Sequence, residues 1–157
     1  MATAQDSTLV AFKLKDQFNR EYSDKTWAHQ LLVVIGSDRD GSQYNEPWGR
    51  ALRDSLSTRA QGAKVHLVGL SDLRGVPFFL KGLIKSKFPQ ERDHWVLMDW
   101  GGLFPKTYRF VEKHCNILVF APSGRLVWQT AVTQVQPTQM QSLLAALDKQ
   151  LDQLPSD

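Results

Sequence analysis

One apolar run near the start of the chain constrains the fold more than any other feature. Leu31-Leu32-Val33-Val34-Ile35-Gly36 has no polar side chain and ends in glycine. A strand that faces water on one side alternates polar and apolar residues, whereas this run does not alternate, so we expect it to be buried on both faces. Such a strand requires a sheet with further layers of structure above and below it.

Strand-like and helix-like segments alternate along the rest of the chain. The sequence predicts strands at 10–14, in the segment 16–22, and at 31–36, 64–69, 95–98, 117–120 and 126–132. It predicts helices at 47–62, at 77–88 and from 137 onwards, with a short helix after the loop 99–102. This order predicts an α/β fold in which an N-terminal β-hairpin extends a central mixed sheet flanked by helices.

The segment 77–88 has apolar residues at helical spacing, including Phe78 and Leu83. We interpret the aromatic residues of this region as covering the core, or alternatively as lining a groove for a partner. No linker or repeat divides residues 1–157, which we take as a single domain. Its ends, 1–9 and 154–157, are expected to be flexible.

Composition excludes several classes of function. The 157 residues include one cysteine, which excludes a disulfide scaffold, a four-thiolate zinc site and an intramolecular dithiol cycle. The four histidines lack metal-ligand spacing, so we predict no metal site and no cofactor. The net charge of +3 comes with scattered basic residues, which does not indicate a nucleic-acid partner.

Targeting signals are not apparent. Residues 1–9 are polar, and the longest apolar runs are far shorter than the ~20 residues that span a bilayer. We therefore expect a soluble protein without a membrane partner. Its location would be the cytoplasm, or the periplasm if a signal peptide has been removed.

Several motifs carry a resemblance to a known family. Phe12-Lys13-Leu14-Lys15-Asp16-Gln17 is similar to an F-x-L-x-D opening, with Asn19 near the position of a usual glycine. Met98-Asp99-Trp100-Gly101 resembles a D-x-x-G, and residues 115–128 resemble a closing hairpin. From about Phe12 to Leu151 the chain thus resembles the redoxins, which include peroxiredoxin-like and thiol-disulfide oxidoreductase proteins. The resemblance implies a thioredoxin-like fold.

The chain departs from the redoxin pattern at two positions. In the thiol-disulfide branch the strand that corresponds to 32–36 leads into W-C-x-x-C, but here the two cysteine positions fall on Arg39 and Ser42. Residues 37–48 contain no cysteine, so the ordinary thiol reaction lacks its nucleophile. The family's cis-proline aligns with Cys115, before which we expect an ordinary trans peptide bond.

Cys115 is the candidate catalytic residue, because the resemblance sets it opposite Arg39, whose charge would lower the pKa of a thiol. The alternative is a buried cysteine that acts as a small apolar side chain. The loop 36–42 could bind an anion through Arg39 and Ser42, or it could be a solvated turn. The candidate binding residues are Asp38, Arg39, Asp40, Ser42, Trp48, Asp99 and Trp100.

The leading hypothesis is a redoxin-like domain that has lost thiol chemistry and binds a protein or peptide partner. The chain could also form a homodimer. One alternative is a one-cysteine redox protein that uses Cys115. Another is a binder of small anions or nucleotides at the loop 36–42.

Overall fold

The structure is a computed structural model that describes residues 7–155. Within this range the strands are β1 (Lys13–Asp16), β2 (Glu21–Ser23), β3 (Leu31–Ser37), β4 (Val65–Asp72), β5 (Leu97–Asp99), β6 (Cys115–Phe120) and β7 (Leu126–Val132). The α-helices are α1 (Asn45–Ser57), α2 (Lys81–Ser86), α3 (Leu103–Tyr108) and α4 (Pro137–Asp152). The strands form one mixed sheet in the order β2-β1-β5-β4-β3-β6-β7. The α/β sheet flanked by helices that the sequence predicts is confirmed.

β3 lies at the centre of the fold, and all seven of its residues are buried. It pairs in parallel with β4 and antiparallel with β6. Because side chains alternate along a strand, Leu31, Val33 and Ile35 pack on the face covered by α1 and α4. Leu32 and Val34 pack on the opposite face, towards α3. The two-sided burial of this run is therefore confirmed.

The N-terminal hairpin is present, but its first strand starts later than the sequence predicts. We expected a strand at 10–14, whereas β1 covers Lys13–Asp16. The Val10 N–H donates to the Tyr108 hydroxyl at 2.7 Å, and the Phe12 N–H donates to an Asp24 carboxylate oxygen at 3.1 Å. These side chains take the donors that a neighbouring strand would have used, so residues 10–12 stay outside the sheet.

Asp16 organises the turn of this hairpin. Its fully buried carboxylate accepts hydrogen bonds from the Phe18 and Arg20 N–H groups, from Arg20 Nε at 2.7 Å and from the Tyr22 hydroxyl at 3.1 Å. Burial raises the pKa of Asp16, but these bonds outweigh it and hold the pKa below its ordinary value. Asn19 has φ 64°, a left-handed conformation that asparagine adopts more readily than most residues.

The described parts of the two chain ends contact the domain. Thr8 forms a bridge with Arg125, and the Leu126 N–H donates to the Ser7 carbonyl at 2.9 Å. At the other end, Lys64 Nζ donates to the Pro155 carbonyl at 3.2 Å. For residues 7–9 and 154–155 the flexibility predicted from the sequence stays a prediction. The rest of that prediction, 1–6 and 156–157, lies outside the described residues.

The helix predicted at 77–88 is shorter than expected, and some of its apolar side chains face solvent. A 3-10 turn at Phe78–Leu80 precedes α2, which ends at Ser86. A 3-10 turn has about three residues per turn, so the apolar positions do not stay on one stripe. Phe78 and Leu83 are 83% and 55% exposed, so the expectation that they face the core is wrong.

The helices on the other face agree better with the sequence. The helix predicted at 47–62 is found as α1 at Asn45–Ser57, five residues shorter at its end. α4 begins at Pro137 and buries Met140, Leu143, Leu147 and Leu151 on one side, as the spacing predicts.

Candidate functional site

The candidate site lies at the edge of the sheet where the parallel strands β3, β4 and β5 end. The start of β6 reaches the same edge, because β6 runs antiparallel to β3 and pairs Asn116 with Gly36. Three loops, 38–44, 73–80 and 109–114, therefore meet there. The carboxyl ends of parallel strands are where ligands bind in open α/β sheets.

Asp38 fastens the first of these loops to the third. One carboxylate oxygen accepts the Gly41 N–H at 2.9 Å, and the other accepts the Lys113 N–H at 2.9 Å. Both oxygens thus have partners within the chain. In this arrangement Asp38, a candidate binding residue in the sequence, holds the two loops together.

Gly41 makes the contact between the same two loops close. A Cβ at this position would collide with the His114 carbonyl oxygen and would lie 2.8 Å from the His114 nitrogen. Only glycine allows the loop to lie this near the backbone that leads into β6.

Arg39, Asp40 and Ser42 are exposed on the outer side of the loop. The Ser42 hydroxyl donates to the Arg39 carbonyl at 2.7 Å, and the Ser42 N–H donates to the same oxygen at 3.3 Å. This geometry agrees with a solvated turn, the second of the two alternatives for this loop. An anion at this loop would need the backbone N–H groups of Gly41 and Ser42 as donors, but both already have partners. The Gly41 N–H binds the Asp38 carboxylate, which thus lies where an external anion would bind.

Cys115 begins β6 with its side chain in the core cluster that contains Trp48 and Ile117. It is 0% exposed, and burial raises the pKa of its thiol to about 12. The peptide bond before it is trans, as we expected. The geometry agrees with the small apolar side chain of our alternative interpretation, since a thiol with this pKa stays protonated at neutral pH.

Trp48, a candidate binding residue in the sequence, lies inside the core. It is 1% exposed in the core, where its indole N–H donates to the Thr133 carbonyl at 2.6 Å. A ring enclosed on all sides contributes to stability and has no surface to offer a ligand.

Asp99 ends β5 at the same edge of the sheet as the candidate site, but its side chain is buried. It is 1% exposed, and its two oxygens accept the Leu103 and Phe104 N–H groups at 2.9 and 2.8 Å. These are unpaired donors of the first turn of α3, so Asp99 caps that helix. Burial raises the pKa of the carboxyl, and the two N–H groups offset only part of this effect.

Trp100 is half-buried and keeps a face on the surface, so it remains a candidate binding residue. The Lys81 ammonium lies 4.9 Å from the centre of its ring. The same ammonium lies 5.4 Å from the Phe78 ring. Both are cation–π distances, which place Lys81, Phe78 and Trp100 on one patch of surface.

Two features of this edge were not recognised in the sequence. Asn116 is 2% exposed, accepts the Val111 N–H at 2.9 Å and donates to the Val111 carbonyl at 3.1 Å, which shapes the loop 109–114. An asparagine inside the apolar run 115–120 was the available signal. Arg74 pairs with Asp72 at 2.8 Å, which nothing in the local sequence pattern indicates.

Two clefts lie at the opposite edge of the sheet. One of about 260 Å³ is lined by Trp27, His29 and Pro122, among others. The second, about 420 Å³, is lined by His29, His66 and Lys64 among others. In the described range 7–155, no group of three histidine, cysteine, aspartate or glutamate side chains is placed to hold a metal ion.

Comparison with known proteins extends to the fold. No protein-family model matches the chain, and no curated protein matches it in sequence. Solved structures do match it, among them the exposed lipoprotein thioredoxin of Streptococcus pneumoniae, with 15% identity, a TM-score of 0.60, and coverage of 87% of this chain and 99% of that one. The fold is that of thioredoxin.

Both branches of the resemblance are represented among these structures. Peroxiredoxin Q of Xanthomonas campestris has 15% identity and a TM-score of 0.62, with coverage of 88% of this chain and 90% of that one. The thioredoxin domain of a thiol-disulfide oxidoreductase from Bacteroides vulgatus has 11% identity and a TM-score of 0.58, covering 93% and 99%. The predicted thioredoxin-like fold is thus confirmed, and at these identities the likeness concerns the fold alone.

Proposed function

We propose that this chain is a thioredoxin-like domain that works without thiol chemistry, by binding a protein or peptide partner at the edge formed by the loops 38–44, 73–80 and 109–114. The observation that carries the proposal is the state of the only cysteine. Cys115 is fully buried with a pKa of about 12. In the resemblance to the redoxins, Arg39 and Ser42 stand where the family has its two cysteines.

The chemistry of sulfur supports this proposal. The thiolate is the nucleophile in disulfide exchange, and a pKa of about 12 leaves roughly one thiol in 10⁵ ionised at neutral pH. A two-cysteine cycle needs a second sulfur, and the chain has one cysteine. Ser42 does not replace it, because its hydroxyl donates to a backbone carbonyl and not to a general base.

The surface of the edge supports a binding role. Arg39 and Asp40 present opposite charges to solvent within two neighbouring residues, and Trp100 adds a partly exposed aromatic ring. The Asp38 and Gly41 contacts hold this loop against the segment before β6. A loop held in place loses less entropy on binding than a mobile one, which favours affinity.

The first test is enzymatic. Purified protein should show no insulin-disulfide reduction and no peroxide consumption above a heat-denatured control. Turnover above that control, abolished by Cys115→Ala, would establish the one-cysteine redox alternative instead.

The second test concerns the partner. Affinity capture from the source organism should be performed with the wild type, Cys115→Ala and the double variant Arg39→Glu/Trp100→Ala. A partner retained by Cys115→Ala and lost by the double variant supports binding at this edge without the thiol. A partner that requires Cys115 contradicts the proposal.

A further inference from the structure

The strongest unassigned feature is a pair of adjacent phenylalanines on the turn after β4. Phe78 and Phe79 are 83% and 81% exposed, and Leu83, one helical turn after Phe79, is 55% exposed. Two other large apolar side chains among the described residues are exposed, Val111 and Val135, both to a smaller extent. Single exposed apolar residues are ordinary, but three within six residues form a patch that indicates an interaction.

The shape of this patch restricts its occupant. With four-fifths of their surfaces exposed, the two rings project away from the domain and are not sunk in a groove. A protein partner would have to supply a pocket for each ring, whereas a lipid interface accepts projecting aromatic side chains without a matched pocket. Trp100 belongs to the same patch, because the Lys81 ammonium contacts both its ring and that of Phe78. Tryptophan is enriched in proteins at the level of the lipid headgroups.

The charge of the segment specifies the lipid. Residues 73–90 contain Arg74, Lys81, Lys85 and Lys87 and no acidic residue. Arg74 is neutralised by Asp72, and Lys85 Nζ donates to Asn19 Oδ1, so Lys81 and Lys87 are the cations most available to an external anion. Lysine stems can lie along apolar surface while their ammonium groups reach headgroup phosphates and carboxylates.

The same charges disfavour a second copy of this chain as the occupant. Two patches placed face to face would bring Lys81 and Lys87 of both copies together without an acidic residue from 73–90 to compensate.

We propose that the turn 78–83 docks on anionic membrane surfaces, with Phe78, Phe79 and Leu83 entering the headgroup region and Lys81 and Lys87 contacting anionic lipids. This departs from the sequence expectation of no membrane partner, which rested on the lack of a spanning segment. No helix within residues 7–155 is long and apolar enough to cross a bilayer, and docking of this kind does not require one. The patch shares the loop 73–80 and Trp100 with the edge of the proposed function. Its test uses lipid vesicles and substitutions at Phe78, Phe79 and Lys87, so its failure and the failure of partner binding at Arg39 are distinguishable.

The test is sedimentation of the purified protein with vesicles of phosphatidylcholine, alone or mixed with phosphatidylserine. We expect binding to the mixed vesicles, little binding to the neutral ones, and weaker binding as salt rises. Phe78→Ala/Phe79→Ala should lower the partition coefficient about tenfold or more. Lys87→Ala should lower it about fivefold.

Matched controls come from elsewhere on the surface. Lys149→Ala removes an exposed lysine of α4, and Val135→Ala removes an exposed apolar side chain, and neither should change the partition coefficient. The phenylalanine variants should fold normally, because the substituted rings are exposed. Equal midpoints in urea denaturation check this.

Three outcomes overturn the proposal. The first is equal affinity of the wild type for neutral and anionic vesicles, which would remove the role of Lys81 and Lys87, or binding to neither, which would leave the patch to a protein partner. The second is unchanged binding by Phe78→Ala/Phe79→Ala. The third is a dimer in sedimentation equilibrium without lipid that the same double variant dissociates, which would assign the patch to a second copy.

Discussion

At the scale of single residues, Cys115 shows how burial decides the role of a reactive group. The side chain is enclosed by apolar neighbours, so a hydroxyl in its place has no evident partner. We expect Cys115→Ser to cost about 1–3 kcal/mol in the free energy of unfolding. Cys115→Ala should cost less, because it leaves only a small void. Urea denaturation measures both variants.

The same residue gives a kinetic check. A thiol reagent at pH 6 should not modify native Cys115, and should modify it after unfolding. Rapid modification of the native protein, or a serine variant more stable than the alanine variant, would mean that the site is solvated.

Asp16 links the stability of the hairpin to pH. A carboxyl whose pKa is lower in the folded than in the unfolded chain stabilises the fold above the unfolded value, and this contribution is lost as pH falls towards the folded pKa. The Asp16 pKa lies below its ordinary value of 3.8, so the loss occurs below about pH 4. Asp16→Asn should cost about 2–4 kcal/mol near pH 7, because an amide NH₂ would face the donors of Arg20 and Tyr22.

The difference between wild type and Asp16→Asn should therefore shrink as the pH is lowered from 7 to about 3, as followed by urea denaturation. Glu21→Gln is the matched control, since the Lys13–Glu21 pair is on the surface and should change stability by less than about 1 kcal/mol. If the difference in free energy of unfolding between wild type and Asp16→Asn stayed constant over this pH range, the pKa of Asp16 would not be lowered by folding.

At the scale of elements, the contact between the loops 38–44 and 109–114 depends on Gly41. A methyl group there would meet the His114 backbone, so Gly41→Ala should cost about 1–3 kcal/mol through displacement of one loop. Gly101→Ala is the control, because a Cβ at that glycine would have no atom within 4 Å. Thermal denaturation of the two variants compares them, and equal midpoints would contradict the proposed packing.

At the scale of the whole molecule, one sheet joins both core clusters through β3, whose side chains enter each of them. We therefore expect residues 7–155 to unfold as a single cooperative unit, as they should if the chain is the single domain that the sequence predicts. Tryptophan fluorescence and far-UV circular dichroism should give the same midpoint in urea. Two separated transitions would divide the domain and contradict this expectation.

The sequence by itself determined the order of elements and the central strand. Hydrophobic periodicity is a local property, so the buried run at 31–36 and the apolar face of α4 could be identified without coordinates. The closing hairpin at 115–128 could also be anticipated, and its turn has Gly124 at φ 89°, a conformation that glycine adopts without strain. The predicted ends of strands were less accurate where a distant side chain accepts a hydrogen bond from the backbone. The Tyr108 hydroxyl, for example, accepts the Val10 N–H that a neighbouring strand would have used.

Only the tertiary structure decided which polar and aromatic residues are available for function. Asp38, Trp48 and Asp99 look like ligand-binding residues in the sequence, but each has its partners within the chain. Phe78 and Phe79 look like core residues, but they lie on the surface. The physical reason is that burial and hydrogen bonding depend on groups distant in the chain, which a local pattern of residue types does not contain.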